Sequence, residues 1–127
     1  MKIQKIEIEN YKCPSWNVFN RAMHWAVRAA ERDNLKMLFL GSLYEQHSRA
    51  HLKRKSLELK KPVAVKIEAH FKNGNRRDPD NLFVKPILDG IVMAGIFTDD
   101  NGDAIDSITL RAKRKMPNDK IIIFINE

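Results

Sequence analysis

The chain has 127 residues, one cysteine and a formal net charge of +7. One cysteine excludes an internal disulfide framework and a cysteine-built zinc site, and no apolar run approaches the roughly 20 residues that a membrane span needs. The length suits a single domain, 1–127, with its own core, and the excess of cations favours a polyanionic partner, nucleic acid first.

The N-terminus, Met1-Lys2-Ile3-Gln4-Lys5, is polar from the start and lacks the apolar core of a signal peptide. A soluble cytoplasmic protein is therefore expected. Residues 2–10 read as a strand, with Ile6 and Ile8 on one face and Lys5, Glu7 and Glu9 on the other. Tyr11 to Asn17 reads as a loop, with Pro14 stopping the strand before it. A helix is expected over 18–33, with Met23, Ala26, Val27 and Ala30 as its apolar stripe. Asp33-Asn34 reads as a break, and a second helix over 35–52 would bury Leu35, Leu38, Phe39 and Leu43. One long helix is the alternative. Gly41 weakens the second helix by about 1 kcal/mol relative to alanine.

Residues 49–61 are rich in cations: Arg49, Lys53, Arg54, Lys55, Lys60 and Lys61. They suit either a solvated helix end or contact with phosphates. Residues 62–71 give the clearest strand: Val63, Val65, Ile67, Ala69 and Phe71 alternate with Ala64, Lys66, Glu68 and His70. That period puts the first set in a core and the second toward solvent. A turn follows at Lys72-Asn73-Gly74-Asn75. A helix should begin near Lys85, because Pro86 is tolerated only in a first turn, and Gly95 suits its end. A strand is expected over 105–115, with Ile108, Leu110 and Ala112 facing in. Ile121 to Ile125 reads as a short central strand. This order suggests an α+β domain, a mixed sheet with helices packed on one face.

The stretch with chemistry in it is Arg76-Arg77-Asp78-Pro79-Asp80-Asn81-Leu82, with Asp99-Asp100-Asn101 downstream. Gathered carboxylates repel unless something positive binds them. In extended backbone the i, i+2 spacing of Asp78 and Asp80 puts both side chains on one side, with Cα atoms about 6.5–7 Å apart. With an acid from the second pair they would suit Mg2+, a hard cation that takes oxygen ligands and keeps part of its water shell. Mn2+ would substitute. Lys85 lies nearby to stabilise developing charge, and Arg76 and Arg77 to grip phosphate. The competing reading is an Arg–Asp ion-pair network of purely structural use. An EF-hand loop started at Asp99 fails, because it has Ala104 where glycine belongs and Leu110 where the bidentate glutamate belongs. His47 and His51 share a helical face but lack a third ligand, so surface histidines are expected.

These residues resemble the RusA family of Holliday junction resolvases. The match runs through Arg76-Arg77-Asp78-Pro79-Asp80-Asn81-Leu82, Lys85, Asp89-Gly90, Ala94-Gly95 and Asp99-Asp100, and weakly through Pro14-Ser15-Trp16-Asn17. Where the family has one residue between Asn-Leu and its lysine, this chain has Phe83 and Val84. The resemblance implies a small homodimeric α+β endonuclease that needs Mg2+ and cuts four-way DNA junctions by paired nicks, in a bacterial or phage recombination or repair setting. It implies metal-site aspartates at Asp78, Asp80 and Asp100, a functional lysine at Lys85, and DNA contacts from Arg76, Arg77, Asn81 and Lys85. Asp100 rather than Asp99 rests on that match alone. Two alternatives stay open: a non-catalytic nucleic-acid-binding module, and a related nuclease acting on other branched DNA or on RNA.

Overall fold

The computed structural model describes residues 4–15, 25–46, 63–74, 78–79, 82–93 and 105–126. In chain order the elements are strand β1 (Gln4–Glu9), helix α1 (Trp25–Gln46), strand β2 (Val63–His70), helix α2 (Lys85–Met93), strand β3 (Ile105–Lys113) and strand β4 (Lys120–Asn126). The strands form one mixed sheet in the order β1-β4-β2-β3. β4 runs antiparallel to both β1 and β2, whereas β2 and β3 are parallel. Parallel neighbours need a crossover, and α2 lies within it. The result is the expected α+β architecture, a mixed sheet with helices.

The alternation in β2 sets the core. Val63, Val65, Ile67, Ala69 and Phe71 are all buried. Opposite them in register stand Ile125, Ile123 and Ile121 of β4, also buried, which explains why that short apolar run is central. Ile6 and Ile8 of β1 extend the same face. Leu35, Phe39 and Leu43 of α1 and Ile87 and Leu88 of α2 close over it.

Several sequence expectations change here. α1 runs through Asp33-Asn34 without a break, so the single long helix is the correct alternative. Its interior is dominated by good helix formers, and one Asp-Asn pair costs too little to stop it. Of the expected stripe, Leu35, Phe39 and Leu43 are buried, but Leu38 is exposed and Leu40 is buried in its place. Ala26, Val27 and Ala30 are exposed as well. Ile108 is also exposed, since β3 is an edge strand. A register shift between Val63 and Ala64 leaves Ala64 opposite Ser107 and re-aims the start of β3.

The other edge strand is clamped. The Gln46 side chain donates from Nε2 to the Glu7 carbonyl at 2.8 Å and accepts from the Glu7 N–H at 3.0 Å. Edge backbone left open invites pairing with another chain, and here the end of α1 occupies it. Tyr11 ties the same strand exit to α1 by donating its hydroxyl to Glu31 Oε1 at 2.7 Å. Burial and that hydrogen bond together push the phenol well above its usual pKa. Among the described residues no helix is long and apolar enough to cross a membrane.

Candidate functional site

The registers place the carboxyl ends of β1, β2 and β3 at one end of the sheet, beside the start of β4. The chain leaves β2 there, makes the turn at 72–74 and reaches Asp78. The loop after β1 leaves from the same end. The two meet: Phe83 donates its N–H to the Pro14 carbonyl at 2.9 Å, and Ser15 and Leu82 form an isolated antiparallel bridge. The two stretches that carry the resemblance, nearly 70 residues apart in sequence at these contacts, are therefore neighbours in space.

Between the exposed Asp78 and the exposed Lys85 lies a buried anchor, Leu82-Phe83-Val84. The Cys13 thiol lies against it, 3.9 Å from the Phe83 carbonyl, which explains its burial without any catalytic use. The Leu82 N–H bonds to the Pro79 carbonyl at 3.2 Å. The chain thus turns after Asp78, whereas the spacing argument for paired carboxylates assumed extended backbone. Asp80, Asn81, Arg76, Arg77, Asp99 and Asp100 lie outside the described residues, as do the cations of 49–61 and the pair His47 and His51.

α2 begins at Lys85, as expected, with Pro86 in its first turn. A helix N-terminus attracts anions through its free N–H groups and its dipole. Here two of those donors are spent: Pro86 has none, and Ile87 donates to the Val84 carbonyl at 3.0 Å. The Lys85 ammonium is left as the group suited to a phosphate. It lies 3.5 Å from Asp89 Oδ1, one turn along the helix, with both side chains substantially exposed. Such a pair is weak and exchangeable.

The donor set expected at this site is carboxylate oxygen alone, which is the chemistry magnesium takes. Asp78 is its one member among the described residues, and its exposure leaves its oxygens accessible. Among the described residues no three His, Cys, Asp or Glu side chains gather closely enough to hold a metal ion.

One buried charged cluster escaped the sequence reading. Glu68 and His70 were expected to face solvent, but each is only 5% exposed. Glu68 accepts from Lys66 at 3.0 Å, from His70 Nε2 at 3.2 Å and from Lys113 at 3.3 Å. Burial alone would raise its pKa, but these three partners outweigh it and pull the carboxyl down to about 2. His70 Nδ1 is buried with no hydrogen-bond partner among the described residues. The available signal was the string of cations at positions 66 and 113 flanking a glutamate on adjacent strands, which needs the β2–β3 register to be read.

Compared with known proteins, the chain matches no family model and no curated protein.

Proposed function

We propose that this chain is a Mg2+-dependent endonuclease of the RusA type that acts as a homodimer and nicks four-way DNA junctions in pairs. The observation that carries the reading is the meeting of Pro14-Ser15 with Leu82-Phe83 at the carboxyl ends of the strands. Ligand sites in open α/β sheets favour that end. A buried apolar anchor holds a carboxylate, Asp78, and a cation, Lys85, to either side of it in exposed positions.

In this reading Asp78, Asp80 and Asp100 hold the cation. When bound, Mg2+ supplies Lewis acidity toward a phosphoryl oxygen and lowers the pKa of an attacking water. Lys85 faces the phosphate and stabilises the negative charge that develops on its oxygens; leaving Asp89 for the phosphate costs little, because their pairing is solvent-screened. Arg76, Arg77 and Asn81 hold the flanking backbone and fix its register. Two subunits related by a two-fold axis present two equivalent sites to a junction of approximate two-fold symmetry.

The test is Asp80→Asn. The reading expects cutting to be abolished while junction binding is kept or strengthened, since a negative charge beside phosphate is removed. Retained cutting would refute the assignment. Loss of folding with wild-type binding independent of Mg2+ would favour a binding module that keeps its acids for structure.

A further inference from the structure

The end of the sheet that carries Asp78 also carries a second, separately built feature. The turn after β2 (72–74) and the turn between β3 and β4 (114–119) are laced into one unit. Phe71 donates to the Lys113 carbonyl at 2.8 Å, Met116 to the Phe71 carbonyl at 2.9 Å and Lys115 to the Asn73 carbonyl at 3.0 Å. The Lys72 N–H bonds to Asp119 Oδ1 at 2.8 Å, and Arg114 Nη1 to the Gly74 carbonyl at 3.3 Å. Lys115 adopts a left-handed backbone, φ 56°, and its side-chain stem lies across Gly74, where an added Cβ would sit 3.1 Å from Lys115 Cε. This ordering is spent on holding cations outward. Lys72, Arg114 and Lys115 are all exposed, and none forms an ion pair with a described carboxylate. Within the unit, Asp119 Oδ1 accepts from the Lys72 backbone N–H.

Gly74 and Asp78 are four residues apart, so the unit lies at most about 14 Å along the chain from the candidate site. That reach corresponds to about four nucleotides of one strand at 3.4 Å per nucleotide. The Lys72, Arg114 and Lys115 side chains are exposed and carry only hydrogen-bond donors, which suits phosphate oxygens.

We propose that Lys72, Arg114 and Lys115 form a preorganised phosphate-contact ridge on which a duplex arm lies as it leaves the cleavage site. The inference rests on the nucleic-acid part of the reading above but not on catalysis. It assigns affinity to the ridge and leaves the cutting chemistry to the Asp78 side.

The test measures binding of a fluorescent four-way junction in EDTA, where nothing is cut, from 50 to 300 mM salt. The triple variant K72A/R114A/K115A is compared with R28A/R32A/K36A, which removes the same charge from α1. The ridge variant should lose about 2–3 from the slope of log affinity against log salt, roughly 0.9 for each lost phosphate contact. The α1 variant should keep the wild-type slope. An unchanged slope in the ridge variant, an equal loss in both variants, or no junction binding by the wild type overturns the proposal. If the triple variant fails to fold, K72A and K115A singly carry the test, each with an expected loss of about 0.9. A junction that binds through the ridge yet is never cut in Mg2+ would refute the nuclease and leave the ridge standing.

Discussion

The Phe83 N–H and the Pro14 carbonyl, 2.9 Å apart, join the loop after β1 to the stretch before α2. Phe83 is also buried, 2% exposed, so it fixes this junction with both its backbone and its ring. Phe83→Ala removes the ring and leaves a cavity, and should cost about 3–5 kcal/mol of stability. Lys85→Ala and Asp78→Asn change exposed side chains and should stay within about 0.5 kcal/mol of wild type. Urea denaturation distinguishes them. A destabilised Asp78→Asn would mark Asp78 as part of a structural ion-pair network.

Glu68 predicts a pH dependence. Its carboxyl falls from the usual 4.5 to about 2 in the folded chain. A group with a depressed folded pKa adds stability that is complete above its unfolded value. That stability disappears as pH falls through the folded value. The contribution should therefore be lost between about pH 4.5 and pH 2, and it amounts to about 3 kcal/mol. Denaturation midpoints at pH 7, 4 and 3 measure it. Glu68→Gln should be less stable at pH 7 and flatter across that window. An equally steep acid limb in the variant would place the effect elsewhere.

The two helical glycines should respond oppositely to alanine. At Gly41 a Cβ meets nothing within 4 Å, so Gly41→Ala should gain about 1 kcal/mol from helix propensity. At Gly90 a Cβ would sit 2.7 Å from Phe39 Cδ2, in the contact between α2 and α1. Phe39 is fully buried, so its ring cannot swing out into solvent to make room. Overpacking there outweighs the same propensity gain, and Gly90→Ala should lose about 1–2 kcal/mol. Thermal melts of the two single variants give the signs.

Residue pattern made part of this fold legible. β2 and β4 were readable because both obey the period of two or a short apolar run, and their central place follows from burial. α2 was readable because Pro86 permits only one start. The exposed part of the α1 stripe was not, since Val27 and Leu38 fit the helical spacing yet stand exposed while Leu35, Phe39 and Leu43 are buried. Helical periodicity reports a face; the extent of the partner surface decides whether that face is buried. The buried Glu68 and His70 were missed for a similar reason, because their neutralising cation Lys113 comes from a strand more than 40 residues away. At the candidate site, residue types pointed to Asp78 and Lys85, but the pairing of Pro14 with Phe83 is a long-range contact that no local pattern encodes.

The decisive measurement is an end-labelled four-way junction and a matched linear duplex incubated with the protein, in Mg2+ and in EDTA, beside Asp78→Asn. The proposed function predicts paired nicks in the junction alone, present with Mg2+, absent with EDTA and lost in the variant. Binding without cutting in several junction sequences, with Mn2+ as well as Mg2+, would contradict it.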